Sequence, residues 1–254
     1  MSIQAEENGA KMTELIDVSS LNGLWTRSLL VQPDGSRDTA TSVAWLQGPS
    51  LYIDLRQPAG RPDFSHITSL ADLTPADCAW LATQQGFAGT LRQDGAFFEW
   101  VRELDFQPPA GPDAGRLFWQ GGILVETGRY ADYLEHWHRA PTLLSPGGAL
   151  RLLGPDGRPA MLVRTGGDFM FARARHPDML LTGISLPECI AGAATLQAAQ
   201  ALLDCEISQG RITNGFWRIT RSTLPFREGA ILAADNRLAS GWQILSREGE
   251  TGLQ

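Results

Sequence analysis

Four side chains that can do chemistry stand at every second position near the middle of the chain: Tyr133, Glu135, Trp137 and Arg139. Alternate side chains of a β-strand share one face, so a strand here would align a phenol, a carboxylate, an indole and a guanidinium. Burying such groups is costly unless they pair with each other or bind something polar. The spacing therefore predicts one wall of a ligand site.

The same alternation recurs in other β-like runs of the first half. Glu126 follows Leu124 on one face, and Trp45 follows Val43. The rule also groups Trp25 with Arg27, and Tyr52 with Asp54 and Arg56. If these strands curve into one barrel, the polar groups converge between tryptophan walls, which is the usual composition of a small-molecule site.

Two functions fit this arrangement. The first is binding of a small, partly apolar molecule, for which the arginines would suit an anionic group. Its predicted binding residues are Trp25, Arg27, Trp45, Tyr52, Asp54, Arg56, Trp137 and Arg139. The second is a cofactor-independent hydratase, isomerase or lyase, which needs only a positioned acid and base in a dry pocket. Glu135 or Glu126 would then be the base, and Tyr133 or Tyr52 the acid.

A structural interpretation stays open beside both. Polar faces of antiparallel strands commonly point at water, where Asp54 and Arg56 would form ordinary surface pairs. The aromatic residues beside Glu126 and Glu135 favour a covered face there. A third function follows from the structural interpretation: an interaction protein with filled barrels, whose outer surface binds a partner.

Signals for metals and cofactors are weak. His136 and His138 form an H-x-H pair on the face opposite Glu135, but a metal would require at least one more ligand. The chain has no P-loop, no GxSxG and no GxGxxG after a β-like run. We therefore expect neither a metal nor a cofactor.

Short β-like runs separated by turn signals dominate the chain. Pro33-Asp34-Gly35, Asp94-Gly95 and Pro155-Asp156-Gly157 are typical turns. A helix is predicted from Thr74-Pro75 to about Gln85, and a second over residues 191–203. Many short strands at near-regular spacing indicate a mostly β protein of the barrel or sandwich class with two short helices.

The two halves share an order of elements, and residues 94–106 align with residues 214–226 without a gap. This predicts two barrel lobes or one long split barrel. The expected organisation is a disordered lead-in over residues 1–20, a first lobe over residues 21–145 and a second, smaller lobe over residues 146–254.

Composition narrows the function classes. The net charge of -7 argues against a broad nucleic-acid surface, and no apolar run is long enough for a membrane helix. The N-terminus lacks the features of a signal peptide, and three widely spaced cysteines fit a reduced, cytoplasmic protein. Lys11 is the only lysine, a bias that a GC-rich bacterial genome would produce. The composition does not indicate an oligomeric state.

The motifs together resemble a lipocalin-like family of little-characterised proteins, which includes a fungal casein-kinase-interacting protein and bacterial members of unknown role. The residues that carry the resemblance are 45–56, Gln85-Gly-Phe-Ala-Gly89, Glu99-Trp-Val-Arg102, Glu126-Thr-Gly128 and Tyr133-Leu-Glu-His-Trp137. The resemblance implies two lipocalin-like antiparallel β-barrel lobes and supplies no catalytic residue.

Overall fold

The structure is a computed structural model that describes residues 16–108, 111–179, 181, 185–235, 237–238 and 240–254. Most of the expected lead-in over residues 1–20 lies outside this range. The described chain is mostly β, with 48% strand, which confirms the predicted fold class. Among the described residues, no α-helix has the length and apolarity that a membrane crossing needs.

The first nine strands form one antiparallel sheet. It contains β1 (Gly23–Val31), β2 (Arg37–Asp38), β3 (Ser42–Gln47), β4 (Leu51–Gln57), β5 (Gln85–Asp94), β6 (Phe97–Asp105), β7 (Ala114–Gln120), β8 (Ile123–Gly128) and β9 (Leu134–Arg139). Pairing of β1 with both β3 and β9 closes eight of these strands into a barrel, while the short β2 pairs with the end of β1.

The later strands form a second antiparallel sheet that curls but does not close. They are β10 (Gly147–Leu153), β11 (Pro159–Thr165), β12 (Asp168–Arg173), β13 (Glu206–Thr213), β14 (Phe216–Ser222), β15 (Ile231–Ala234), β16 (Arg237–Leu238) and β17 (Gln243–Gly249). Within the described chain, β16 and β17 lie at opposite edges of the sheet without pairing. One lobe is therefore a closed barrel and the other a half-barrel.

Helices are short and capped. α1 (Pro75–Leu81) begins where predicted, because the Thr74 hydroxyl and the Asp77 carboxylate each accept from the other's backbone N–H. It ends earlier than expected, since Gln85 already belongs to β5. The second predicted helix is shortened to α3 (Leu196–Leu202), and α2 (Leu186–Ala191) was not predicted. Turns of 3-10 helix cover Ser19–Leu21, Leu70–Asp72, Pro177–Met179 and Pro225–Arg227.

Among the described residues, three apolar clusters hold these elements together. One fills the barrel from within, where Trp25 stacks on Trp45 with ring centroids 5.7 Å apart. Another fills the inside of the curled sheet around Trp217. The third lies between the two sheets and the helices, where Gly86 of β5 leaves room for Ile207 of β13. The two sheets therefore share a core.

Candidate functional site

A cavity of about 310 Å³ opens at one end of the closed barrel. Its walls come from the end of β1, the end of β4, the start of β5, the end of β6, the end of β8 and the start of β9. These ends meet because neighbouring strands run antiparallel, and the loop before β7 adds residues 111–113 to the rim. The opposite end of the barrel is filled by apolar side chains of the inner cluster.

Tryptophans form the floor of the cavity. Trp100 and Trp137 both meet Trp45 edge-on, with ring centroids 5.6 Å and 5.4 Å away. Such edge-to-face contacts add to the stabilisation from burying the rings. The floor is therefore rigid and apolar, as a site for a partly apolar molecule requires.

Glu126 stands above this floor and is 3% exposed. It accepts hydrogen bonds from the Tyr133 hydroxyl at 2.7 Å and from Trp137 Nε1 at 3.0 Å. Burial raises the pKa of Glu126 well above its usual value, and the negative charges of Glu135 and Asp113 raise it further. Glu126 thus keeps its proton to a higher pH than an exposed glutamate does.

Two glycines make room for this acid and its tyrosine partner. Gly115 and Gly128 pair across β7 and β8. A Cβ at Gly115 would lie 2.8 Å from Glu126 Cγ, and one at Gly128 would lie 2.4 Å from Tyr133 Cε1. Both contacts are too short for real atoms, so the local sequence lets the two side chains meet.

The cavity's second glutamate meets cations instead. Glu135 is paired across β8 and β9 with Glu126. Its Oε1 accepts from Arg27 Nη1 at 2.5 Å, and Arg56 Nη1 lies 3.8 Å away. Arg27 also bonds Asp38 at 2.9 Å, while Arg56 Nε bonds Asp54 at 2.8 Å. Both guanidiniums are therefore held by carboxylates.

A third guanidinium, Arg102, completes the charged rim. It donates to Asp113 at 2.5 Å and lies 3.4 Å from Asp105. Its guanidinium carbon is 3.7 Å from the ring centroid of Phe87, over which Arg56 also lies at 5.0 Å. Burial raises the pKa of Asp105 to about 6.

The structure brings seven of the eleven predicted site residues to the cavity: Trp45, Asp54, Arg56, Glu126, Tyr133, Glu135 and Trp137. Arg27 lies behind them, bonded to Glu135. The Tyr133, Glu135 and Trp137 side chains thus face into the barrel and not into water.

The other three predicted residues do not line the cavity. Trp25 lies beneath the floor and donates from Nε1 to the Leu21 carbonyl at 2.7 Å. Arg139 lies over the Trp25 ring at 4.6 Å and donates to the Ser20 carbonyl, towards the filled end. Tyr52 is fully buried beside Phe87, and its hydroxyl has no hydrogen-bond partner in the described chain. These side chains follow the predicted alternation, but Trp25 and Tyr52 lie too deep in the barrel to line the cavity. Arg139 lies too far along the barrel to reach it.

The aromatic and charged residues of the site that were missed from sequence include Phe87, Trp100, Arg102, Asp105 and Asp113. The alternation of Phe98, Trp100 and Arg102 along β6 was the signal that could have found two of them. Asp113 follows a Pro/Gly-rich loop, where no periodicity places a side chain.

The two histidines of the H-x-H pair lie away from the cavity. His138 is exposed, and its Nε2 lies 2.8 Å from the Ser28 hydroxyl. Across the described ranges, no three His, Cys, Asp or Glu side chains are arranged to hold a metal ion.

Comparison with known proteins gives one structural likeness. No family model matches the chain, and no curated protein is similar to it in sequence. The fold is similar to the crystal structure of the uncharacterized protein YLR301w from Saccharomyces cerevisiae, with a TM-score of 0.51 over 88% of this chain and 98% of that one. At 12% identity this likeness shows the fold alone. It supports a barrel fold shared with an uncharacterised fungal protein, and it does not show that the chain belongs to a lipocalin-like family.

Proposed function

We propose that the chain is a lipocalin-like protein of the cytoplasm that binds a small, partly apolar molecule in the open end of its closed barrel. The observation that carries the proposal is the cavity of about 310 Å³ between a tryptophan floor and a rim of convergent polar groups. That volume is at the lower end of the range for ligand pockets, roughly 300–1,000 Å³. Three free cysteines support a reducing compartment.

The open cavity also weighs against the alternative of an interaction module with filled barrels. Within the described residues, one end of the barrel is filled and the other is open, and Glu126 and Glu135 are buried at the open end, not exposed on the outer surface. Burying two carboxylates beside an empty volume costs stability, which a purely structural barrel would have no reason to accept.

A cavity-blocking substitution tests binding. Leu30 lines the cavity, whereas its neighbour Leu29 does not. Leu30→Trp should abolish the binding of small fragments, detected by ligand-observed NMR, because the larger ring fills the mouth. Leu29→Trp is the matched control and should retain the same fragments. Fragments that bind equally to both variants, or no binding fragment at all, would contradict the proposal.

A specific observation favours acid/base catalysis as the second candidate. Glu126 has a raised pKa and lies 2.7 Å from the Tyr133 hydroxyl, the geometry of a proton-transfer pair. Burial and the neighbouring Glu126 raise the pKa of Tyr133, which keeps it a neutral donor. Because Tyr52 does not line the cavity, the acid role would belong to Tyr133.

Kinetics separate the two candidates once a converted molecule is found. Glu126→Gln keeps the shape and removes the proton-transfer group, so it should abolish turnover if Glu126 acts in catalysis. Loss of affinity with unchanged turnover would identify a binding role instead.

A further inference from the structure

We infer that the molecule bound in this cavity carries a positively charged nitrogen, as an organic ammonium does. The inference rests on the proposed binding function and names the class of ligand. It replaces the anionic ligand that the arginine content of the sequence favours.

Acidic side chains outnumber guanidiniums at this end of the barrel, and they still do when Glu126 is protonated. In the described chain, six acidic residues line the cavity or belong to the ion pairs around it: Asp38, Asp54, Asp105, Asp113, Glu126 and Glu135. Three arginines, Arg27, Arg56 and Arg102, face them. A ligand with a positive charge would reduce this excess, and a negative one would increase it.

The arginines are also engaged already. Each of the three lies within 4 Å of two carboxylates, at distances between 2.5 Å and 3.8 Å. An anionic ligand would have to compete with these carboxylates for the guanidiniums. Separating such a pair is strongly unfavourable.

The walls of the cavity suit a cation. Trp45, Trp100 and Trp137 line it, and the electron-rich faces of indole rings attract ammonium groups. Phe87, on the same wall, already holds the guanidiniums of Arg56 and Arg102 over its ring. Aromatic rings are a common means of recognising organic ammonium ions, and the surplus of acidic side chains adds electrostatic attraction.

Glu126 would respond to such a ligand. Its pKa is raised by burial and by the charges of Glu135 and Asp113. A cation in the cavity opposes these effects, so its binding should release a proton from Glu126. Affinity for the cation should then increase with pH up to the pKa of Glu126 in the free protein.

Three probes of nearly the same shape test the inference: 3,3-dimethylbutylamine, 3,3-dimethylbutan-1-ol and 3,3-dimethylbutanoate. They share a tert-butyl group and present an ammonium, a hydroxyl and a carboxylate. Titration calorimetry on the full chain should show the amine binding about tenfold tighter than the alcohol, equivalent to about 1.4 kcal/mol. The carboxylate should bind weakest.

The variant Glu126→Gln separates charge from shape. It should weaken the amine about tenfold and leave the alcohol unchanged, since only the amine gains from the carboxylate. Its melting curve and the retained alcohol binding show whether the barrel is still folded.

Each outcome decides something. Equal affinities for amine and alcohol overturn the charge preference and leave the binding function standing. Tightest binding of the carboxylate overturns it in favour of an anion. No binding by any of the three, together with an empty fragment screen, overturns both proposals.

Discussion

Two glutamates on neighbouring strands show that identical side chains take different roles in different surroundings. Glu135 meets the guanidiniums of Arg27 and Arg56, which compensate a negative charge. In the described chain, the hydrogen bonds to Glu126 come from the neutral donors Tyr133 and Trp137, and they do not offset the effect of burial on its pKa. The same residue type therefore serves as an ion-pair partner at one position and as a carboxyl group with a raised pKa at the other.

The raised pKa of Glu126 makes folding stability depend on pH. The carboxyl titrates near 4.5 when unperturbed and at a higher pH in the folded chain, so the native state binds more protons between these values. The contribution is fully present below pH 4.5 and is lost as pH rises through the folded pKa. Glu126→Gln should therefore flatten the decline of the free energy of unfolding with pH, measured by urea denaturation.

Asp105 provides the control for this measurement. Its pKa of about 6 gives a separate decline of stability as pH rises towards 6, which Asp105→Asn should remove. The flattening caused by Glu126→Gln should remain when Asp105→Asn is also present, because the pKa of Glu126 is raised by its own burial. Identical pH profiles for wild type and Glu126→Gln would show that Glu126 titrates normally.

At the level of single residues, sequence alternation singled out most of the acidic and aromatic side chains that line the cavity. It could not place Asp113, because a loop residue has no periodic neighbour. It also could not anticipate that every arginine near the cavity is held by carboxylates, since pairing depends on which strands become neighbours. Residue types were enough to predict the chemistry of the site. Its balance of positive and negative charges could be determined only from the fold.

Closure of the barrel depends on the pairing of β1 with β9. A bulge between Arg27 and Leu29 interrupts this ladder, and the Arg27 guanidinium crosses it to reach Glu135. The Arg27 side chain is 3% exposed. An ion pair at the closing seam therefore connects the first and last strands of the barrel.

Removing the buried cation should open or destabilise this seam. Arg27→Met leaves Glu135 and Asp38 without their nearest cation, at a cost of about 3 kcal/mol because an unpaired buried charge remains. Chemical denaturation should show the midpoint falling, and hydrogen exchange should increase along β1 and β9.

A surface arginine is the matched control. Arg129 pairs with Asp94, whose side chain is 71% exposed, so Arg129→Met should leave the midpoint nearly unchanged. If Arg27→Met proves as harmless as Arg129→Met, the ion pair does not contribute to closure.

Turns and caps were the elements most predictable from sequence. The Thr74 cap and the turn before β6 depend on neighbouring residues alone, so local chemistry determines them. The end of α1 and the start of β5 were misjudged, because pairing of β5 with β4 overrides helix propensity at Gln85.

On the scale of the whole molecule, the likeness between the halves was real in element order but did not extend to closure. β1 returns to β9 in the first half, while the edges of the second sheet stay apart among the described residues. Strand pairing over more than a hundred residues is not encoded in local alternation. What joins the halves is the apolar cluster that includes Leu46, Ile53, Met170 and Ile207.

Because this cluster belongs to both sheets, we expect the described chain to unfold in a single transition. Ile207→Ala removes a fully buried side chain that packs on Gly86 across the interface, at a cost of about 3 kcal/mol. Differential scanning calorimetry should show one peak in wild type and one peak at lower temperature in the variant.

Ile219→Ala makes the same substitution within the cluster of the curled sheet alone. If the sheets are coupled through their shared core, this variant should also shift the whole transition, including the near-ultraviolet circular dichroism of the barrel tryptophans. If the sheets fold independently, only part of the heat absorption would shift and the barrel signal would melt as in wild type. The second result would mean that the shared cluster joins two separately stable lobes, and that the ligand cavity needs the closed barrel alone.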